Sequence, residues 1–525
     1  MKILISDNLS KVGVSMLKDS GFKIDLFTEL SKEKIEKIIG NYQGLIIRSA
    51  TDVNANLLEK ATNLKVIGRA GVGLDNVDIS AATKKGVVVM NTPGGNTITT
   101  AEHTVAMIMA LSRKIPNATE SVRLGKWEKK IFMGTELFGK TCGIIGFGNI
   151  GSNVAQRLKG LKMDIVVYEP NITDDIIEKA GFRSVELDEL FRVSDYITVH
   201  VPKVESTKHL LRLENFEKMK DGVFIINCAR GGIINENDLT KAIKSGKVAG
   251  AALDVFEEEP PTNNPLLSLK EVIFTPHLGA STSEAQENVA IAVAKQMIAY
   301  LKHNTVINAV NASSVTGELL KQISPFLNLA YKLGSCLEQL SLRAFKEVEL
   351  NYSGDFFTSD KTPITIAFLE GLLAARVKER INSVNARVIA KQMGIQVCEK
   401  IKNDTTNYTN QITAIVKTEN SVNSASGTIF GKNDPRIIRI NDFRVEIIPK
   451  GHLLLIQNID KPGAVGSIGT LLGEHRINII RMEVGQDDAG KNTIVLLTTD
   501  KLISKNILDE LEKLPLIISA KSLEL

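Results

Sequence analysis

Arg230, Glu259 and His277 follow one another along the chain and have the side-chain types that removing hydrogen from a hydroxyl-bearing carbon requires. The imidazole of His277, in TPHLGAST, titrates near neutral pH and can take up the hydroxyl proton or return it. The carboxylate of Glu259, in DVFEEEP, can hold the other ring nitrogen and raise the basicity of the ring. The guanidinium of Arg230, in NCARGG, offers a planar fork matched to a carboxylate and a positive charge for a reacting oxygen. The carbon-bound hydrogen must leave with its electron pair, and no amino-acid side chain accepts a hydride, so a bound cofactor has to supply that step.

The segment GFGNIG, with Gly146, Gly148 and Gly151 in GxGxxG spacing, answers that need. It follows an apolar run, Thr141 to Ile145, and opens a helical pattern, Asn149 to Leu161. In such a strand-turn-helix unit the first glycine allows the tight turn, the second lets the backbone approach a pyrophosphate, and the third packs helix on strand. Phosphates then face the positive end of the helix dipole. A second apolar run, Asp164 to Tyr168, ends in Glu169, whose carboxylate suits the adenosine ribose hydroxyls and repels a 2′-phosphate. With no arginine in Pro170–Thr173, the dinucleotide expected is NAD. Asp254, between a strand and the Glu259 loop, can contact the nicotinamide carboxamide or simply cap a turn. Cys228, inside an apolar strand, reads as a small core residue.

These groups must be held at strand ends beside a cleft, and the rest of the chain supplies the elements. Short apolar runs (Ile3–Ser6, Phe22–Phe27, Gly44–Ile47, Lys65–Gly68, Val87–Met90) alternate with helical patterns, which implies a parallel sheet covered by helices. A long apolar helix from about Thr99 leads into a second α/β series, with strands at Ile197–Val201, Val223–Asn227, Ala249–Asp254 and Val272–Thr275. The expected fold class is α/β: two doubly wound, Rossmann-like domains around a cleft, followed by an α+β domain and a ferredoxin-like βαββαβ module. A helix at Ser283–Lys302 is long enough to return to the first domain. The expected boundaries are therefore 1–98 with 286–310 for the substrate-binding domain, 99–285 for the NAD-binding domain, 311–450 for an intervening domain and 451–525 for the last module. In the intervening domain the pattern shows helices at Glu318–Gln339 and Pro363–Val377, a strand near Val348–Tyr352 and a polar segment, Asn403–Asn410.

A length of 525 residues requires several cores, and 24% charged residues with a net charge of +4 leave no basic block that would track a nucleic acid. Four scattered cysteines show no CxxC spacing, so no metal site is expected, and no apolar run reaches the length of a membrane span. The expected location is the cytoplasm.

The motifs GFGNIG, NCARGGIINENDL, AALDVFEEEPP and TPHLGASTSEAQENVA resemble the D-2-hydroxy acid dehydrogenase family. Within it, GRAGVGLDNVD, NTPGGNT, KWEKKIFMGTELFGKT and the additional C-terminal domains resemble the long-form branch. What that branch implies is NAD-dependent oxidation of 3-phospho-D-glycerate to 3-phosphohydroxypyruvate, the committed step of L-serine synthesis. The resemblance makes Arg230 the residue that binds and polarises substrate, His277 the proton donor and acceptor, and Glu259 the residue that orients the histidine. It carries cofactor contacts onto Asn149, Ile150, Glu169, Val201, Cys228, Ala229, Arg230, Asp254, His277, Leu278, Gly279 and Ala280. Two departures accompany it: Glu169 stands where the family more often has Asp, and Val201 where relatives carry Thr, so contact at Val201 must come from its backbone.

A phosphorylated substrate needs further cations, and Arg48 and Arg69 lie at strand ends of the first domain; the resemblance adds Asn96 and the Gly71 loop to the substrate contacts. Lys126, Lys129 and Lys130 are either a solvated face or a basic group that reaches a neighbouring subunit of a homo-oligomer, expected to be a tetramer. Residues 451–525 resemble an ACT domain, a small-molecule sensing module. In relatives its first strand-to-helix turn, here with Asp460, and the asparagine of the next strand, here Asn478, bind L-serine between paired modules. Two other readings share the central motifs: a glyoxylate or hydroxypyruvate reductase, which needs no phosphate site, and an NAD-sensing corepressor-like protein, which lacks the C-terminal module.

Overall fold

A computed structural model describes residues 1–28, 30–312, 317–341, 343–354, 360–377, 381–402, 408–487 and 492–525. The first unit is a five-stranded parallel sheet: β1 (Lys2–Ile5), β2 (Lys23–Leu26), β3 (Gly44–Ile47), β4 (Val66–Arg69) and β5 (Val88–Met90), in the order β2-β1-β3-β4-β5. Runs such as Gly44–Ile47 are buried at every residue, as strands covered on both faces must be.

The second unit is a seven-stranded parallel sheet of β6 (Thr141–Ile145), β7 (Asp164–Tyr168), β8 (Arg183–Ser184), β9 (Tyr196–Val199), β10 (Val223–Asn227), β11 (Val248–Leu253) and β12 (Val272–Phe274). Its order, β12-β11-β10-β9-β6-β7-β8, reverses direction at β6, which lies between β7 and β9. That reversal opens a crevice at the carboxyl ends of the strands, where such sheets bind ligands. The helix Thr97–Ser112 places Ala101, Met107, Ile108 and Leu111 in the core of this unit.

The helix Ser283–His303 leaves the second unit and returns to the first. Val289, Ala290, Val293, Ala294, Met297 and Leu301 share a core with Ile3, Ile5, Ile46, Val66 and Val88. The chain then runs along the sheet edge: Val310 N donates to Val89 O at 2.9 Å, and Val89 N donates to the Asn311 side chain at 2.8 Å.

Beyond this lies a six-stranded sheet built from β13 (Phe345–Ser353), β14 (Gln396–Lys402), β15 (Gln411–Thr418), β16 (Val422–Phe430), β17 (Asp434–Ile440) and β18 (Phe443–Ile447), in the order β14-β13-β15-β16-β17-β18. The helices Gly317–Leu340 and Thr362–Leu373 pack on one another so closely at Gly334 and Gly371 that a Cβ at either would strike the other helix's backbone. Sequence pattern anticipates these two helices, strand structure around Val348–Tyr352 and the α+β class but not the remaining strands, and the second helix stops at Leu373 short of the expected Val377. Of the polar segment Asn403–Asn410, residues 403–407 lie outside the described residues.

The last module contains β19 (His452–Ile459), β20 (Ile479–Gln486), β21 (Asn492–Thr499) and β22 (Ile517–Glu524), with helices Ala464–Glu474 and Lys505–Leu511. Its antiparallel order β20-β21-β19-β22 is the ferredoxin-like arrangement expected for this segment. Among the described residues no helix is long and apolar enough to cross a membrane.

Candidate active site

The glycine loop follows β6 at the point where the second sheet reverses. Gly146 has φ +99°, in the region that favours glycine, and a Cβ there would press within 3.0 Å of the His200 backbone. Gly151 sits so close to the carbonyl oxygen of Gly146 that no side chain fits, which brings helix Asn149–Gly160 against the strand. Gly148, the residue before that helix, has open space where a Cβ would project. A pyrophosphate can therefore approach the helix N-terminus without obstruction. Glu169, at the end of β7, accepts from Phe147 N at 3.1 Å and from Asn171 N at 3.0 Å, so it ties the loop to the strand end while keeping lone pairs for a ribose. The pocket of about 580 Å³ beside it is also lined by Asp174, Glu186 and Glu189, and this acidity directs phosphates to the Gly148 side instead.

His277, Leu278 and Gly279 form a turn around one buried carboxylate. Asp254, 1% exposed, accepts from Thr275 Oγ1 at 2.5 Å, Leu278 N at 2.7 Å and Gly279 N at 2.8 Å. His103 Nε2 lies 3.2 Å from Asp254, and Thr100 Oγ1 donates to Gly279 O at 2.8 Å, so helix Thr97–Ser112 braces the turn. Burial pushes the Asp254 carboxyl up, but the His103, Thr275 and Leu278 hydrogen bonds outweigh it and the net shift is downward. Of the two roles open to Asp254 in the sequence, capping the turn is the one its contacts display.

The turn points His277 at Glu259. His277 adopts φ +55°, and its Nδ1 lies 2.7 Å from Glu259 Oε2, while Glu259 Oε1 accepts from Phe256 N at 3.2 Å. The hydrogen bond to Glu259 lifts the imidazole above its ordinary pKa, against burial and the repulsion of Arg230. Burial alone would raise the Glu259 carboxyl, yet the bond and charge of His277 bring it below the usual carboxylate value. With Nδ1 engaged, Nε2 is the nitrogen left to exchange a proton with a ligand.

Arg230 follows β10, and its charge is felt at His277 and at Arg69. Arg69, at the end of β4, is pushed down to about 10 by burial first and then by Arg230, with Arg48 adding to the repulsion; Asp75 and Asp7 oppose it. Its Nε is buried without a hydrogen-bond partner among the described residues, and the same holds for Asn96 Oδ1, just before helix Thr97–Ser112. Gly71 packs against the Arg69 guanidinium so closely that a Cβ there would have to displace it. Arg48 follows β3, where its N donates to Asp7 Oδ2 at 2.5 Å and Nη1 to Asn8 O at 3.4 Å. Three arginines from both parallel sheets thus act on one cleft.

Other expected residues lie elsewhere or serve the frame. Cys228 is buried with its thiol pushed up to about 12, so it packs rather than reacts. Asn149 and Ile150 open the glycine-loop helix, while Val201 and Ala229 line the core of the nucleotide unit. Ala280 is half-buried beside the turn. Lys126, Lys129 and Lys130 are exposed, with Lys129 Nζ 5.8 Å from the Trp127 ring centre. In the last module Asp460 accepts from Gln486 Nε2 at 3.2 Å, and Asn478 N donates to Asp500 Oδ1 at 3.0 Å, so different partners hold the two. Sequence reasoning missed Asp75, Asp7, His103 and Thr100. Only GRAGVGLDNVD, which contains Asp75, carried a signal for any of them.

Family profiles match the NAD-binding domain of D-isomer specific 2-hydroxyacid dehydrogenases over residues 105–279, the D-3-phosphoglycerate dehydrogenase intervening domain over 322–441 and the ACT domain over 452–516. The chain is 42% identical over 528 residues to the D-3-phosphoglycerate dehydrogenase of Archaeoglobus fulgidus, covering 100% of both chains. It is 42% identical over 524 residues to that of Bacillus subtilis, covering 100% of this chain and 99% of the other. A glyoxylate reductase structure from Paecilomyes thermophila superposes with a TM-score of 0.55 and 28% identity, over 59% of this chain and 98% of that one.

The His277–Glu259 pair generates a signed prediction. Oxidation needs neutral His277, and Glu259 raises its pKa, so Glu259→Gln lowers that pKa. The acid limb of kcat/KM for oxidation then moves to lower pH, while the maximum falls by about 100-fold as the ring loses its orientation. A pH–rate profile whose acid limb stays in place would refute the assignment.

Proposed function

The chain belongs to the D-3-phosphoglycerate dehydrogenase family, and from that premise we propose how its own residues carry out the reaction. The protein is an NAD-dependent dehydrogenase that oxidises 3-phospho-D-glycerate to 3-phosphohydroxypyruvate, the step that opens L-serine synthesis. The observation that carries the assignment of roles is the convergence of Arg48, Arg69 and Arg230 on a cleft that also presents the His277–Glu259 pair.

Bound NAD supplies the hydride acceptor, held by the Gly146–Gly151 loop, Glu169 and the backbone of the 277–280 turn. Arg230 binds the substrate carboxylate and draws electron density toward the C2 oxygen. His277 Nε2 accepts the C2 hydroxyl proton as hydrogen leaves the carbon. Glu259 then holds the imidazolium through Nδ1, which keeps the proton on the enzyme until water takes it. Arg48 and Arg69, with Asn96 and the Gly71 loop, hold the phosphate end. A dianionic group would offset both the burial of the Arg69 charge and the repulsion it receives from Arg230 and Arg48. A glyoxylate reductase has no use for this charge.

The ACT module suits an effector that carries an amino group and a carboxylate, and we assign it L-serine at Asp460 and Asn478. Gly463, with φ +100°, precedes helix Ala464–Glu474 and leaves that helix N-terminus open. A homo-oligomer is supported by the exposed apolar side chains around the lysine cluster: Trp127 and Met133 are 76% exposed and Phe138 is 73%. On the edge strand β20, Ile480, Met482 and Val484 form a second exposed apolar row, as a tetramer with two kinds of contact requires. The location we assign is the cytoplasm.

Three measurements test these roles. In a coupled assay of NAD reduction, Arg48→Ala should lower kcat/KM for 3-phosphoglycerate by about 10- to 100-fold, the scale of one charged hydrogen bond, and leave the weak activity on glycerate unchanged. Equal losses on both substrates would remove Arg48 from the phosphate site. Serine should slow the parent enzyme and have no effect on Asp460→Ala; a flat titration of the parent rules the sensor role out. Light scattering should give the parent a mass above 57.3 kDa and show a smaller species when Trp127 and Phe138 are both replaced by Glu. A monomeric parent would contradict the assembly.

A further inference from the structure

Arg230 does not choose its own direction. Its Nε donates to Asp75 Oδ2 at 3.0 Å, and its Nη1 donates to the carbonyl oxygen of Ala229 at 2.7 Å. Nη2 lies against Gly73, where a Cβ would have to displace the guanidinium and would stand 2.8 Å from Asp75 Oδ2. Two of the five guanidinium hydrogens are thereby committed to the protein, and the second hydrogen of Nη1 and the two of Nη2 are left for a ligand.

The two partners come from opposite walls. Asp75 lies on the loop after β4 in the first unit, and Arg230 on the loop after β10 in the second, 155 residues apart. The loop is well placed for the task, since it also contains Gly71, which packs on Arg69. As a salt bridge the pair has little energetic value: the Asp75 side chain is 59% exposed, and exposed pairs contribute about 0 to 1 kcal/mol. Direction is what it provides. A guanidinium on a flexible stem samples many orientations, and a hydrogen bond to Nε selects one without occupying the edge that meets substrate.

We infer that Asp75 is a positioning residue for the reaction: from the opposite wall of the cleft it holds Arg230 through Nε, and so turns the Nη edge toward the substrate carboxylate and C2 oxygen. The inference rests on Arg230 acting on the substrate as proposed above. It carries a kinetic signature that a merely structural role lacks. Asp75 is also a negative charge beside an anionic substrate, and it partly offsets the positive field at Arg69. Removing it strengthens the attraction for phosphoglycerate while spoiling the aim of Arg230, so KM and kcat move independently.

The test uses the full-length enzyme with Asp75→Ala and Asp75→Asn, alone and with Arg230→Lys, which has no N–H at the Nε position. Rates are measured with 3-phosphoglycerate and with its C2-deuterated form. For Asp75→Ala the expected result is a fall in kcat of about 30-fold, within the range that a misplaced reacting group costs. KM for phosphoglycerate should not rise, and the deuterium isotope effect should grow. Asp75→Asn, which keeps an oxygen acceptor, should recover much of the rate. In the Arg230→Lys background, Asp75→Ala should cost nothing further. An unchanged kcat and isotope effect, a rise in KM that accounts for the whole loss, or a full additional loss in the Arg230→Lys background overturns the inference. A parent enzyme that turns over phosphoglycerate while Asp75→Ala matches it sinks this inference alone; an inactive parent sinks the proposed reaction with it.

Discussion

The turn that carries His277 exists because a carboxylate is buried beneath it. Asp254 is withdrawn from water, which costs several kcal/mol unless its charge is met. It is met by two backbone N–H groups, a threonine hydroxyl and the ring of His103. Those bonds leave residues 275–279 little choice of path. They hold His277 at a positive φ, a conformation that costs a non-glycine residue about 1 to 3 kcal/mol. The strain is tolerated because it aims Nδ1 at Glu259. The His277–Glu259 pair thus depends on a buried carboxylate beneath the turn and on a helix, Thr97–Ser112, whose sequence reads as core.

The second constraint is electrostatic and belongs to the cleft as a whole. Strands of both parallel sheets end at it, and their loops deliver Arg48, Arg69 and Arg230. Burial first, and then repulsion by Arg230 and Arg48, depress Arg69, while Asp75 and Asp7 oppose the shift. Asp7 spends its hydrogen-bonding capacity on the backbone of Arg48 and on Thr51, fixing the loop rather than pairing with a guanidinium. The cleft therefore keeps one guanidinium, that of Arg69, whose Nε has no hydrogen-bond partner among the described residues, while Asp75 pairs with Arg230. A ligand with a carboxylate at one end and a phosphate at the other completes it, whereas a small uncharged or singly charged acid would leave Arg69 uncompensated.

How much of this was legible in the sequence depended on whether a function was local. The glycine loop, Glu169, Arg230, Glu259 and His277 sit within short segments at predicted strand ends, so residue type and context sufficed to single them out as candidates. The partners that orient them could not be found that way. Asp75 reaches Arg230 across 155 residues, and His103 reaches Asp254 from a helix whose apolar pattern shows only that it packs. In the intervening domain, β15 alternates buried and half-buried residues, the pattern of a strand. Yet β16 is rich in Ser, Asn and Gly, and β14 is mostly exposed at the sheet edge, so neither displays the apolar periodicity that marks a strand.

The same long-range logic joins the C-terminal half to the chemistry. Asn382 Nδ2 donates to Gly86 O at 2.7 Å, and Val384 enters the core of the first unit. Gly86 is the turn before β5, a strand of only three residues, and β5 leads directly into Asn91–Asn96. Asn91 in turn donates to Val72 O in the loop that carries Gly71, Gly73 and Asp75. Residues 308–311, on the way to the intervening domain, lie along β5 as well. One short strand is thus gripped by the intervening domain at its start, by the connecting segment along its edge and by the substrate loop at its end. A rigid element so short cannot absorb displacement within itself. The intervening domain and the loop that carries Asp75 are thereby joined through one short strand and its hydrogen bonds.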